Sequence, residues 1–442
     1  MDVRKMKIKR NIAVFLYACI MALIANSYLW LNKTRMIVFL VLFVLINVLA
    51  GTFIIKTKSL RTWTCWHGAV LLTIFMPVAL FSFGFHAVLI FILDWDIFLP
   101  SSLYSTVVNA LLFFNGMGCI YLASYQLGVA KRIKAVLCGL IPVLNLIVLQ
   151  KMVRTVYGEV YAECAREQRN AARADQKLCA TKYPIVLVHG VCFRDFKYFN
   201  YWGRIPKDLR QNGAMIYHGN QQAIASVADN AQELADRIKE ICRTTGCEKV
   251  NIIAHSKGGL DSRYAIDRCG LGQYVASLTT ICTPHKGCMY ADYLFDVVSE
   301  DFKLKLGHRY NAVMRYLGDH KPDLLAALRD LTYEACEEFN KTSKEPEGIF
   351  CQSYGSVLKK ASNKKFPLSW SYLFVKHFEG PNDGIVCETS FQWGQRFTMV
   401  EGGGDIGISH GDICDMMRID VEDFDVREFY VELVNDLKNR GF

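Results

Sequence analysis

Four stretches of this chain, 11–31, 36–55, 69–93 and 104–128, are apolar and almost free of charge. Each is about 20 residues or more, enough to cross a hydrocarbon core of about 30 Å as a helix. A water-soluble domain does not supply so many uncharged runs in succession. A cleaved signal peptide fails too, because further apolar runs follow the first. Residues 1–151 are therefore expected to form a transmembrane domain of four to five helices. The fifth run, 135–150, contains Pro142 and Asn145 and either spans or lies at the interface.

Basic residues set the orientation. Met1–Arg10 carries five Lys or Arg, the 56–67 loop has Lys56, Lys58 and Arg61, and the 129–134 loop has Lys131, Arg132 and Lys134. The 94–103 loop has none, and the 32–35 loop has only Lys33 and Arg35. This asymmetry puts the N-terminus in the cytoplasm of a multi-pass cell-membrane protein. Five spans then put the rest of the chain outside and four keep it inside; five is the expectation adopted.

The net charge of +9 suits a protein lying against anionic lipid. It does not indicate a nucleic-acid partner, since no basic patch with interleaved aromatics accompanies it. Twelve of the sixteen cysteines follow residue 155. They form no C-x-x-C pairs, so a zinc ribbon is not expected, and their number alone does not fix the compartment.

Residues 152–181 are charged and alanine-rich and read as a helical linker. At Lys182 the character changes: "YPIVLVHG" is a continuous apolar run ending in His-Gly, the pattern of a parallel strand buried on both faces. Residues 226–244 read as an amphipathic helix, with Val227, Ala231, Leu234, Ile238 and Ile241 on one face and Gly246 past its end. "KVNIIA" and "SLTTIC" (277–282) are further strands. Alternating strands and helices over 182–442 predict an α/β domain with a mostly parallel sheet.

The second strand runs into "AHSKGG". There a strand would turn abruptly into a helix, with Ser256 at the apex and small residues, Ala254 and Gly258, two positions to either side. A serine hydroxyl needs a base to take its proton, and the base needs an orienting carboxylate. Downstream, "EGPNDGIV" (379–386) and "DIGISHGD" (405–412) are polar turns after apolar runs. They supply Asp383 as the acid and His410 as the base. His255 is assigned to packing, His189 to loop geometry, and His285 and His377 are set aside by their order in the chain. An oxyanion needs two backbone N–H donors, here Val191, after His-Gly, and Lys257, after the nucleophile. The Lys257 side chain is expected in solvent.

From about 182 to 440 the sequence resembles the bacterial triacylglycerol lipase family. "YPIVLVHG" is similar to its first strand and oxyanion loop, "AHSKGGLDSRY" to its elbow with Ala for the first Gly, and "TPHKG" to the segment after the next strand. "LLAALRDLTYEACEEFN" (324–340) resembles the segment after the lid, "NDGIV" the acid loop and "SHGD" the histidine loop. The resemblance implies an α/β-hydrolase fold, lipid ester substrates and an acyl-enzyme route through Ser256, Asp383 and His410. It also implies a structural calcium at the aspartate two residues after the histidine, where Asp412 stands. The second carboxylate would come from the stretch before the acid loop, and 356–378 contains no Asp or Glu. No cofactor or metal is therefore expected, and Asp412 is assigned a surface hydrogen bond. The family's disulfide links regions near Cys351 and Cys387, though neither aligns cleanly.

The expected function is thus a membrane-anchored serine hydrolase, a lipase or esterase, with the bilayer and its ester lipids as partners. An acyltransferase using the same triad and a non-catalytic membrane binding protein remain the alternatives. Residues 288–322 are expected to form a lid, with Leu294, Val297, Val298 and Phe302 on one helical face.

Overall fold

In a computed structural model the described residues are 3–52, 54–139, 141, 143–193, 200–362 and 368–442. They divide into two compact units, Met1–Ala172 and Arg173–Phe442.

The first unit is helical: α1 (Val3–Ala25), α2 (Lys33–Leu49), α3 (Leu60–Leu89), α4 (Trp95–Ala123), α5 (Gly128–Cys138) and α6 (Leu144–Ala172). Among the described residues three helices, α1, α3 and α4, are long and apolar enough to cross a membrane. Helix α2 has 17 residues, about 26 Å, at the lower limit of a span. Helices α3 and α4 cross closely at glycines. A methyl group on Gly68 would lie 2.7 Å from the Gly116 carbonyl oxygen, so the missing side chains let the two helices approach.

One expectation changes here. The fifth span over 135–150 does not form as one helix, because α5 ends at Cys138 and α6 begins at Leu144; Pro142 lies outside the described residues. The stretch read as a helical linker, 152–181, is helical as far as Ala172 and packs as well as connects. Its first part continues α6, burying Met152, Val156 and Val160 in the core of the first unit. Glu159 pairs with Arg61 of α3 and accepts from Ser124 Oγ at 2.6 Å, so a buried charge on α6 finds partners from α3 and the end of α4. Periodicity alone gives the helix but not its partners.

The second unit is an α/β sheet domain. Six strands, β1 (Ile185–Val188), β2 (Ile216–His218), β3 (Val250–His255), β4 (Val275–Ile281), β5 (Phe350–Gly355) and β6 (Arg396–Met399), lie in the order β2-β1-β3-β4-β5-β6. Every adjacent pair is parallel. The central strands β1, β3 and β4 are buried at every residue, as their unbroken apolar runs require. The helices are α7 (Ile205–Gln211), α8 (Val227–Thr245), α9 (Lys257–Arg268), α10 (Met289–Val297), α11 (Glu300–Tyr316), α12 (Leu324–Arg329), α13 (Tyr333–Thr342), α14 (Leu368–Glu379) and α15 (Val426–Asn439).

Helix α8 follows its sequence closely. Ser226 caps it by accepting from Asp229 N, and Gly246 ends it with φ 74°. The five predicted core positions Val227, Ala231, Leu234, Ile238 and Ile241 are all buried. The lid segment differs from expectation, since Val298 adopts extended backbone and ends α10. Leu294 and Phe302 therefore sit on two helices, not one. They still converge: with Phe295, Val298, Leu325 and Leu328 they line an apolar cavity of about 230 Å³. Val297 is exposed, at 61 %.

Candidate active site

Parallel strands all end on one edge of the sheet, and in such sheets the carboxyl ends carry the site. Ser256 directly follows β3 and opens α9. Its backbone is forced: φ is 55° and ψ −133°, a region L-residues avoid and functional positions tolerate. Ser256 N donates to Ile281 O at 2.9 Å and Thr283 Oγ1 to Ser256 O at 2.8 Å. The "TPHKG" segment thus holds the elbow from the side.

The small residues are needed. A methyl group on Gly258 would come within 2.4 Å of the His189 carbonyl oxygen, and one on Gly190 within 2.8 Å of Ser256 Cβ. The same tightness brings the loop after β1, at Gly190, to the serine. Lys257 is the first residue of α9, where backbone N–H groups lack partners inside the helix.

Asp383 stands in the loop beyond β5 and His410 in the loop beyond β6. His410 donates from Nδ1 to Asp383 Oδ2 at 2.6 Å, and its backbone N donates to Asp383 O at 2.9 Å. The other carboxylate oxygen, Oδ1, accepts from Ile385 N at 2.9 Å and Val386 N at 2.8 Å. Asp383 is fully buried and His410 nearly so. Among the described residues no hydrogen bond joins Ser256 Oγ to His410, a contact that often tightens only with substrate. What joins them is His255, whose ring centroid is 4.5 Å from that of His410.

The other assignments fare unequally. Lys257 is not in solvent: its side chain is 1 % exposed and Nζ lies 2.7 Å from Asp261 Oδ1 one turn along α9. Burial pushes the Asp261 carboxyl up to about 6, against the opposing pull of Lys257 and Asn230. Asp412 is buried rather than at the surface. Its Oδ2 accepts from Ser409 N at 2.9 Å and Ser409 Oγ at 2.6 Å. His189 is held at both ring nitrogens, by Gly190 O and Gln221 O. His285 is buried against Thr280 and Arg263, and His377 is exposed on α14. All sixteen cysteines are free thiols, Cys351 and Cys387 included.

Two residues packed about the His410–Asp383 pair and His255 carry no sequence signal. Tyr201 Oη bonds His255 Nδ1 at 2.6 Å. Cys282, with φ 47°, sits beside Asp383 and His410, the donor atoms of all three lying within 4.8 Å of one another.

The parallel sheet, the strained serine turn and the buried His–Asp pair define the α/β-hydrolase class. Within it, the chain is 32% identical over 250 residues to a triacylglycerol lipase of Vibrio cholerae, a match covering 51% of this chain and 78% of that protein. The chain belongs to the triacylglycerol lipase family. A triacylglycerol lipase of Burkholderia plantarii is 36% identical over 184 residues, covering 39% of this chain and 51% of that one. That of Pseudarthrobacter phenanthrenivorans is 37% identical over 175 residues, covering 37% and 54%. The chain thus spans about half the length of these two relatives. Residues 184–320 match a family profile described as palmitoyl protein thioesterase. Among solved structures, a Bacillus licheniformis lipase, BlEst2, aligns with a TM-score of 0.43 at 22% identity, covering 57% of this chain and 92% of that one.

Proposed function

We propose that this chain is a membrane-anchored serine hydrolase that cleaves carboxylic esters of lipids through an acyl-enzyme. The observation that carries the reading is the His410–Asp383 pair, 2.6 Å apart, beside a serine held at positive φ. Ser256 Oγ attacks the ester carbonyl while His410 Nε2 takes its proton, and Asp383 steadies the imidazolium. The N–H groups of Val191 and Lys257 receive the oxyanion. His410 then protonates the departing alcohol, and water completes the cycle by the same route. The reading includes no calcium: the Asp412 oxygen facing its loop already serves Ser409.

The profile match at 184–320 favours one second reading, in which the acyl group arrives as a thioester. The same nucleophile serves either substrate, so a comparison of palmitoyl thioester and glyceride ester turnover decides between them. Transfer of the acyl group to an alcohol instead of water would appear as ester product in the same assay.

On topology, the broken run at 135–150 favours four crossings, α1 to α4, which set the hydrolase on the N-terminal, cytoplasmic side. The five-span reading of the sequence, which sets the domain outside, is the alternative. A reporter fused after Phe442 that is active only outside the cytoplasm tests it; activity would overturn the assignment.

The catalytic reading is tested with a fluorophosphonate probe and a p-nitrophenyl ester. Ser256→Ala should abolish labelling and lower turnover by about 10⁴ or more while the protein stays folded. A folded variant with near-native turnover sinks it.

A further inference from the structure

Cys282 follows the last residue of β4 in a left-handed backbone conformation, φ 47°, which glycine adopts without strain and a side-chain-bearing residue does not. Such strain persists where the surroundings over-determine it. It places a wholly buried thiol against Asp383 and His410. Among the described residues this is the one group of three potential metal-binding side chains, its donor atoms all within 4.8 Å of one another. Ser356 Oγ lies 3.4 Å from the sulfur.

We propose that Cys282, Asp383 and His410 form an inhibitory site for a soft divalent cation of the zinc class. Tetrahedral zinc with sulfur at about 2.3 Å and nitrogen or oxygen at about 2.0–2.2 Å spaces its ligands about 3.4–3.6 Å apart. His410 Nδ1 and Asp383 Oδ2, now 2.6 Å apart, would open by less than about 1 Å, and Cys282 would close in. Thiolate, imidazole and carboxylate select zinc over calcium or magnesium, which prefer all-oxygen sites. Charge also balances: one thiolate and one carboxylate neutralise a divalent ion, so the buried complex carries no net charge. The thiol proton leaves to solvent as the metal binds.

The consequence follows from the imidazole. A metal at Nδ1 takes the nitrogen that now donates to Asp383, and the ring proton moves to Nε2. The ring then presents an N–H, not a lone pair, toward the serine, and cannot act as base. This inhibitory effect rests on the catalytic roles proposed above; metal binding does not.

The test uses the full-length protein in detergent with cobalt(II) as the zinc surrogate. One equivalent should produce thiolate-to-cobalt charge-transfer absorption, bleached by zinc and lost in Cys282→Gly, a change the positive φ accommodates. Cys282→Ser, which keeps the shape, should lose it as well. Zinc should slow fluorophosphonate labelling of the wild type at least about tenfold, reversibly with a chelator, and the Gly variant should need at least about tenfold more zinc. A band absent from the wild type, or unchanged in both variants, would overturn the site. Equal zinc sensitivity of wild type and Cys282→Gly would overturn the inhibition. If the metal-free wild type does not label at all, the hydrolase reading falls, and the cobalt band alone decides the site.

Discussion

The ring of His255 rests 4.5 Å from the ring of His410, and its Nδ1 bonds Tyr201 Oη at 2.6 Å. The residue before the proposed nucleophile is therefore the wall on which the proposed base leans, and Tyr201 fixes that wall. Tyr201→Phe leaves a buried ring nitrogen without its partner, costing about 1–3 kcal/mol. The melting temperature should fall, and kcat should drop about tenfold through loosened His410 with KM little changed. A variant as stable and active as the wild type would separate Tyr201 from the site.

Asp383→Asn tests the tautomer. Asp383 Oδ2 holds the proton of His410 on Nδ1, while Oδ1 is anchored by Ile385 N and Val386 N. An amide retains the shape but can donate to Nδ1, leaving the ring proton on Nε2. Turnover of a soluble ester should fall by about 10⁴ with the fold intact by circular dichroism.

Stability below neutrality should report three buried groups. Burial holds His255 and His285 well below the ordinary histidine range, aided by neighbouring positive or ring charge from His410 and Arg263 respectively. In the unfolded chain both take up protons near pH 6.5, so each removes up to about 1.4 kcal/mol per pH unit as pH falls below that value. Asp261, raised to about 6 by burial, works in the opposite direction, binding a proton in the folded state over the same window. Thermal melts from pH 7 to 5 should therefore decline less steeply for wild type than for Asp261→Asn. His285→Gln should flatten the decline.

The apolar cavity between α10, α11 and α12 supplies the fourth expectation. Val298 lies at the break between the first two and lines the cavity. Val298→Asp would place a charge among Leu294, Phe302 and Leu325 and cost several kcal/mol wherever that space must hold hydrocarbon. Hydrolysis of long-chain glycerides in vesicles should fall tenfold or more, about 1.4 kcal/mol per decade, and that of a short soluble ester far less. Equal losses on both would mean that the cavity only packs.

What the sequence discloses here is what period and turn chemistry encode locally. The runs behind β1, β3 and β4, the face of α8, and the loops bearing Asp383 and His410 are continuous in the chain and legible. The edge strands β2 and β6 are not, because three or four residues with mixed burial carry too little pattern. Lys257 reads as a solvated cation, yet its acceptor Asp261 stands one turn away; that both are buried is set by distant segments. Tyr201 reaches His255, and Cys282 reaches Asp383 and His410, only through tertiary contact. The break at Val298 has no glycine or proline to announce it.

The order of strands has a consequence for a chain made from its N-terminus. Ser256 leaves the middle of the sheet, but Asp383 and His410 arrive only with the last two strands, after the whole lid segment has been synthesised. Long-range parallel pairing is slow to form, and large chains populate partly folded states on the way. On the reading proposed above, such a half-built chain, already attached to lipid by its leading helices, holds the proposed nucleophile but has no base to arm it. The enzyme proposed here would thus remain inert toward the membrane that receives it until the sheet is closed.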